Sequence, residues 1–365
     1  MKNLHLLLLT TICLTSPIGL HAHGDKKQDA HQLSASGQDN LLKQKITLGQ
    51  ASYSFELIPD GISLPKKQAD NAQHYHGVKF DSNGRCYVIY TTYEDKRSEA
   101  TRAMARWSSD FSQVDLLGER SWAEGEIHGI NLWTDGDEKK WILFANTHGS
   151  VTQTNSQGAA SNKAGDFLWT QNDHPYPEAY KPTSAVGIAT GGNVFVSDGY
   201  GSSRVHLRRK NSGALLGKNF ASKGKGANQF RTPHGVNYDP VRKLLLFADR
   251  SNQRLVYYNL DMSPHYREEG GKKMLDQIVL KGYSPCNVRF HKDVIVVPCL
   301  NARVAFVKRN GEIVSTLKMP KDYIEAGLDG IHDADISPDG ESLVIGVWQR
   351  KGRPSGTLTR WKRIR

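Results

Sequence analysis

The sequence predicts an all-β protein, a single six-bladed β-propeller over residues 47–365. Two observations predict this fold. A segment that begins with a small or polar residue and then alternates apolar and variable positions occurs six times, with starts 46 to 56 residues apart. Each segment is followed by a turn rich in Gly, Asp or Asn and by a second apolar strand, and no long helical period interrupts the pattern. A unit of about fifty residues with three or four strands is typical of a propeller blade.

The repeat also predicts how the ring closes. The stretch Ala51–Leu57 alternates like a strand but has no blade of its own. We expect this N-terminal strand to complete the last blade, because pairing there would cover an otherwise open sheet edge.

The N-terminus resembles an export signal. Residues 1–22 contain Lys2, a short apolar run and Ala22 at a plausible cleavage edge. This run is too short to span a bilayer as a helix, and no later segment is apolar enough to do so. Residues 23–46 are polar without a hydrophobic period, which predicts a flexible linker. We therefore expect a secreted or periplasmic protein with no transmembrane segment.

Composition and charge narrow the classes of partner. The formal net charge is +11, but the basic residues are scattered rather than collected in one block. We find no nucleic-acid motif, and export argues against such a partner. We expect a monomer that acts on a small molecule or a peptide. Three cysteines follow the export signal, Cys86, Cys286 and Cys299, and the spacing leaves open whether the last two pair.

The repeat phase brings histidines to one position of the blade. The first residues of the six segments are His76, His128, Ser184, His234, Cys286 and His332. Because the first strand of each blade lines the central channel of a propeller, these four histidines should converge near the axis. Three imidazoles and one open position make a catalytic zinc site. We predict a metal here, with zinc as the first choice and iron, copper or nickel as alternatives.

The other histidines lack this phase. We expect surface or loop positions for His74, His148, His206, His265 and His291.

Three stretches resemble a known family. The segments Phe195–Val205, Gly226–Val236 and Phe247–Leu255 are similar to the signature of the peptidyl-α-hydroxyglycine α-amidating lyases. The Gly…Gln-Phe…Pro run in the second segment is also typical of the broader NHL-repeat propellers. The resemblance is sharpest over residues 126–258. It implies a six-bladed propeller that cleaves the carbinolamine of a C-terminal α-hydroxyglycine into a peptide amide and glyoxylate.

The resemblance also implies site residues. It assigns zinc ligation to His128, His234 and His332, and catalytic roles to Tyr200 and Arg250.

The same resemblance implies a structural calcium ion. Its ligands would be the backbone carbonyls of Val78 and Ile130 and the carboxylate of Asp333, which are oxygen donors that suit a hard cation.

The sequence departs from the family at several positions. The family's second active-site arginine is missing from the stretch Tyr90–Tyr93, and Gly330 stands where the family has a methionine. Gly201 replaces a disulfide cysteine, and His76 is an additional histidine.

Two other functions remain open. The chain could be a non-catalytic NHL-repeat propeller that serves as a binding module in the cell envelope. It could also be a sugar-lactone hydrolase, although enzymes of that type rely on Glu, Asn and Asp ligands rather than on several histidines.

Overall fold

The computed structural model describes residues 40–92, 102–118, 126–134, 140–155, 167–171, 180–188, 193–348 and 357–365. The expected signal peptide and most of the expected linker lie outside these ranges. Near the end of the expected linker, Leu41, Leu42 and Ile46 pack against a buried apolar cluster of the propeller. No helix within the described ranges is both long and apolar enough to cross a bilayer.

The chain forms six antiparallel blades, which confirms the predicted fold class. Blade 1 contains β3 (Ala72–Phe80), β4 (Cys86–Thr92), β5 (Met104–Trp107) and β6 (Val114–Leu117). Blade 2 contains β7 (Ile127–Thr134), β8 (Lys140–Asn146), β9 (Ser150–Asn155) and β10 (Phe167–Gln171). Blade 3 contains β11 (Ser184–Gly187), β12 (Asn193–Asp198), β13 (Arg204–Arg209) and β14 (Leu215–Phe220).

The second half of the ring repeats this arrangement with insertions. Blade 4 contains β17 (Pro233–Asp239), β18 (Leu244–Asp249), β19 (Arg254–Tyr258) and β22 (Gln277–Val279). Blade 5 contains β23 (Arg289–His291), β24 (Val294–Cys299), β25 (Arg303–Lys308) and β26 (Ile313–Lys318). The insertions are the parallel pair β15 (Ser222–Lys223) and β16 (Gln229–Phe230), the hairpin β20 (Tyr266–Glu269) and β21 (Lys272–Leu275), and the short helices α1 (Lys66–Asn71) and α2 (Lys321–Glu325).

Blade 6 closes the ring with strands from both ends of the described chain. Its order is β27 (Ile331–Ile336), β28 (Ser342–Val347), β29 (Leu358–Ile364), β2 (Tyr53–Ile58) and β1 (Thr47–Gln50). Strand β2 pairs antiparallel with β29 from Ser54 opposite Ile364 to Ile58 opposite Arg360. The N-terminal strand therefore completes the last blade, as its unpaired alternating pattern predicts.

Apolar burial between the blades stabilises the ring. Six buried clusters lie in the described part of the chain, one between each pair of neighbouring blades. In the cluster between blades 5 and 6, Phe55 and Tyr53 of β2 stack on Phe306, with ring centroids 5.6 and 4.7 Å away. The closing strand is thus fixed by side-chain packing as well as by its hydrogen bonds.

We predict that Phe55→Ala lowers the free energy of unfolding by about 3–5 kcal/mol, because it leaves a cavity beside a fully buried aromatic cluster. Urea denaturation measures the change. The matched control is Ile364→Ala on the neighbouring strand, where the side chain is 36% exposed and should contribute less than about 1 kcal/mol. Equal losses in the two variants would contradict the idea that β2 closes the ring through its packing.

Candidate metal centre

Four histidines from four blades meet at the centre of the ring. His76, His128, His234 and His332 lie on the innermost strands β3, β7, β17 and β27, and each is at most 3% exposed. Five of the six pairs of imidazole rings have centroids 4.5 to 4.8 Å apart. The shared repeat phase therefore does bring these side chains to one point.

Hydrogen bonds between blades orient the four rings. In each case Nδ1 donates to a backbone carbonyl of another blade. Nδ1 of His76 donates to Ile127 at 3.2 Å, and Nδ1 of His128 donates to Thr183 at 2.7 Å. Nδ1 of His234 donates to Cys286 at 2.7 Å, and Nδ1 of His332 donates to His76 at 3.0 Å. Since a carbonyl can only accept, Nδ1 carries the proton and Nε2 keeps a free lone pair. This is the ring orientation that metal-binding histidines adopt.

The Nε2 atoms form a donor set that fits a metal ion. Nε2 of His128 and of His332 are buried, and neither has a hydrogen-bond partner in the described structure. The candidate ligand atoms of His76, His128 and His332 all lie within 4.8 Å of one another. Burial lowers the pKa of each of these imidazoles, and that of His76 falls to about 3. Neutral imidazoles with aligned lone pairs are the form that binds a metal.

The fourth histidine has a different neighbour. The hydroxyl of Tyr200 donates to Nε2 of His234 at 3.0 Å, and Nη1 of Arg250 donates to the Tyr200 oxygen at 3.3 Å. The guanidinium carbon of Arg250 also lies 5.2 Å from the centroid of the Tyr200 ring. Both residues expected to be catalytic therefore lie beside the histidine ring and contact each other.

Two equivalent loops position these residues. Tyr200 follows β12 and Arg250 follows β18, the second strands of blades 3 and 4. Each strand ends in a fully buried aspartate whose carboxylate accepts hydrogen bonds from the surrounding loops. Asp198 accepts from Lys181 N and from Ser202. Asp249 accepts from Arg231 N, Asn252 and Arg254.

A glycine allows Tyr200 to reach the ring. A Cβ atom at Gly199 would lie 2.5 Å from the carbonyl oxygen of Pro233. Only glycine permits this close approach of the loop to blade 4.

Desolvation and charge act in opposite directions on the tyrosine. The residue is 38% exposed, but its hydroxyl lies beside the buried histidine ring, and this desolvation raises the pKa of Tyr200. The positive charge of Arg250 opposes the rise without reversing it. Without a bound metal, the phenol is therefore the protonated partner in its hydrogen bond with His234.

A carboxylate that does not belong to the repeat also lies at this site. Oε1 of Glu126 lies 3.5 Å from Nε2 of His76, and its Oε2 accepts from the hydroxyl of Thr147 at 2.8 Å. Glu126 precedes β7, in a connection between blades that carries no repeat phase. Its position two residues before a ring histidine was the only available signal.

The departures from the lyase pattern have structural consequences. A Cβ atom at Gly330 would lie 2.4 Å from the carbonyl oxygen of Trp348, so the backbone leaves no room for the family's methionine. Strand β4 ends at Thr92 with no arginine, and Tyr93 lies outside the described residues. Cys86, Cys286 and Cys299 are buried free thiols, which answers the open question of pairing.

The expected calcium site differs from the structure. Nη2 of Arg289 donates to the carbonyl of Ile130 at 2.8 Å and to Oδ2 of Asp333 at 2.5 Å. Val78 donates its N–H to the same carboxylate at 2.9 Å. A guanidinium already binds two of the three oxygens assigned to calcium, those of Ile130 and Asp333, so this donor set does not fit the ion.

Three further histidines were expected at the surface and are buried. His74, His206 and His291 are 9%, 0% and 5% exposed, whereas His148 is exposed as expected. His74 lies against the metal centre, with its ring centroid 5.1 Å from that of His76 and 5.5 Å from that of Trp348.

Comparisons with known proteins find distant similarity to amidating enzymes. No family model matches the chain. A probable peptidyl-alpha-hydroxyglycine alpha-amidating lyase of Caenorhabditis elegans is 28% identical over 139 residues, which is 37% of each chain. The peptidyl-glycine alpha-amidating monooxygenase A of Xenopus laevis is 26% identical over 112 residues, which is 30% of this chain and 12% of that protein. The matched regions thus span well under half of either relative.

Solved structures show the likeness of fold alone. A luciferin-regenerating enzyme aligns with a TM-score of 0.52 at 9% identity and covers 87% of this chain and 95% of its own. A chain of the nidogen/laminin complex aligns with a TM-score of 0.50 at 13% identity and covers 76% of this chain and 94% of its own. The chain is therefore a six-bladed propeller with distant similarity to amidating lyases.

Proposed function

We propose that this protein is an extracytoplasmic, metal-dependent lyase that cleaves peptides ending in α-hydroxyglycine into a peptide amide and glyoxylate. The observation that carries the proposal is the contact chain Arg250–Tyr200–His234 beside three further converging histidines. The distant similarity to an amidating lyase agrees with it. The substrate would be a peptide, the active form a monomer, and the location secreted or periplasmic.

Interatomic distances favour one set of three ligands. Nε2 of His234 already accepts from Tyr200, whereas the candidate ligand atoms of His76, His128 and His332 lie within 4.8 Å of one another. We therefore propose the latter three as the metal ligands, with zinc as the first candidate. A bound divalent ion would supply Lewis-acid polarisation of the substrate hydroxyl. This set differs from the resemblance, which implies His234 rather than His76.

The net reaction moves one proton from oxygen to nitrogen and needs no oxidant. The carbinolamine C–N bond breaks, the carbon–oxygen bond becomes a carbonyl, and the hydroxyl proton is transferred to the amide nitrogen. In this proposal Tyr200 Oη passes its own proton to Nε2 of His234 along their 3.0 Å hydrogen bond and accepts the hydroxyl proton. Tyr200 then delivers that proton to the amide nitrogen, and the proton on His234 returns to the phenol. Such general acid–base catalysis contributes about 10²–10⁴-fold.

Two charged residues would bind and select the substrate. Arg250 is half-buried, and its forked guanidinium would bind the carboxylate that leaves as glyoxylate. Glu126, held by Thr147 on the side of His76, would repel a carboxylate that entered in the opposite orientation. Together they would fix the orientation of the bound substrate.

A non-catalytic NHL-repeat binding module is the second candidate. The arginine missing from the stretch Tyr90–Tyr93 and the glycine at position 330 favour it, because both changes remove side chains that the lyase pattern has at the substrate site. Metal content and glyoxylate release separate the two candidates.

We predict about one transition-metal ion per purified chain, measured by elemental analysis. His128→Ala, His332→Ala and His76→Ala should each remove it, because each deletes a ligand. His234→Ala is the matched variant from the same ring and should keep the ion while turnover falls. Loss of metal from H234A with retention in H76A would reject our ligand set in favour of the one that the resemblance implies.

We predict that the zinc-loaded protein releases glyoxylate from an α-hydroxyglycine peptide. A colorimetric glyoxylate assay from mildly acidic to mildly basic pH measures this. The control substrate is the same peptide ending in glycine, which lacks the hydroxyl and should give none. No glyoxylate at any pH from protein that retains its metal would reject the lyase and leave the binding module.

We predict that Tyr200→Phe slows turnover by about 100-fold or more and leaves the metal content unchanged, because only the proton-carrying oxygen is removed. Elemental analysis and the glyoxylate assay on the same preparation give both values. If Y200F loses its metal as well, Tyr200 supports the site structurally and is not the proton carrier.

A further inference from the structure

A second layer of polar side chains lies next to the histidine ring. The ring positions are the first residues of the six repeat segments, and the residue three places further along each segment belongs to this layer. In five of the six segments that residue has a charged or amide side chain: Lys79, Asn131, Asn237, Arg289 and Asp335. Arg289 and the neighbouring Asp333 are both completely buried. A buried ion pair at the centre of a propeller is costly unless all of its charge is compensated.

The Arg289 guanidinium spans the channel. From blade 5, Nη2 donates to Ile130 O and Asp333 Oδ2, and Nη1 donates to the side-chain oxygen of Asn131 at 2.5 Å. Ile130 and Asn131 belong to blade 2, opposite blade 5 in the ring, and Asp333 belongs to blade 6. One cation therefore links three blades through three hydrogen bonds.

The partners of this cation reach the remaining blades. Oδ2 of Asp333 accepts from Val78 N in blade 1. Nδ2 of Asn131 donates to the carbonyls of Ala185 in blade 3 and Val236 in blade 4, at 2.7 and 3.2 Å. The cluster formed by Arg289, Asn131 and Asp333 thus contacts all six blades.

The charges in this layer are already balanced. Asp333 pairs with Arg289, and Asp335 pairs with Lys79 at 3.0 Å. A calcium ion needs six to eight oxygen ligands and surplus negative charge. To bind at Asp333, calcium would have to displace the buried guanidinium from the carboxylate. The two cations would then lie side by side and repel each other strongly, because the dielectric constant there is low.

We infer that the guanidinium of Arg289 is a built-in structural cation, which holds the axis of this propeller closed in place of a divalent metal ion. The folded protein is therefore independent of calcium. This inference concerns the scaffold and stands apart from the proposed lyase activity.

The first test uses the full chain with its transition metal present. Calcium content is measured by elemental emission after dialysis in calcium, and melting temperature is measured with and without about 1 mM calcium, a concentration at which extracellular calcium modules bind. We expect no stoichiometric calcium and an unchanged melting temperature. One calcium ion per chain, or a clear rise in melting temperature, would overturn the inference whether or not the enzyme is active.

The second test removes the internal cation. Arg289→Ala leaves the Asp333 carboxylate and the oxygens of Ile130 and Asn131 facing a cavity, and should lower the melting temperature by about 10 °C. Calcium should restore part of that loss, because the vacated position then offers oxygen ligands and a negative charge.

The matched control is Arg242→Ala, which removes another arginine from a buried aspartate, Asp276. The Asp276 carboxylate keeps Arg267 and His265 as neighbours there, so calcium should restore nothing. A folded R289A without recovery by calcium, or an equal recovery in R242A, would contradict the inference. If R289A does not fold, Arg289→Lys is tested instead. Lysine keeps the internal positive charge, so calcium should not restore its melting temperature. Recovery of R289K by calcium to the wild-type melting temperature would contradict the inference.

Discussion

The site depends on one recurrent contact, the hydrogen bond from Nδ1 of a ring histidine to a backbone carbonyl of another blade. The contact occurs at His76, His128, His234 and His332. It makes Nε2 the unprotonated nitrogen in each ring, and it ties the direction of the Nε2 lone pair to the stacking of the blades. In histidines on independent loops, no shared backbone contact would fix the direction of the Nε2 lone pairs. The closed ring of blades is therefore what makes the donor atoms converge.

The polar layer next to the ring keeps the carrier strands at a fixed spacing. Asp333 directly follows a ring histidine, and Ile130 and Asn131 follow another by two and three residues. Because Arg289 bonds all three, the guanidinium sets the separation of two of the strands that carry the metal ligands. Hydrogen bonds in such a desolvated network strengthen one another, and any unpaired member is costly. Scaffold stability and site geometry share the same residues here.

Repeat phase explains how much could be predicted from the sequence. The blade count, the closing strand and the convergence of the histidines follow from periodicity, since equivalent positions on equivalent strands must lie on one ring. The same phase also places Arg289 three residues beyond a ring position, like Lys79 and Asn131. This second set of equivalent positions predicts a cation near the axis, next to the ring that carries Asp333.

Other features have no periodic signal. Glu126 lies in a connection between blades, where sequence position does not determine direction. The sequence predicts surface or loop positions for His74 and His206 because both lack the repeat phase, yet strand pairing buries both. The close approach of Gly330 to Trp348 depends on backbone geometry, and a single sequence shows only that a glycine is present. For residues outside the repeat phase, the sequence therefore does not predict where the side chain points.

The most direct test of the account is a crystal structure of the metal-loaded protein with anomalous scattering at the absorption edge of the metal. The account predicts one anomalous peak on the propeller axis, about 2.0–2.1 Å from the Nε2 atoms of three ring histidines. It also predicts continuous density for the Arg289 guanidinium between Ile130 and Asp333, without an ion there. A peak away from the histidines, or none in protein that carries metal, would contradict the central claim.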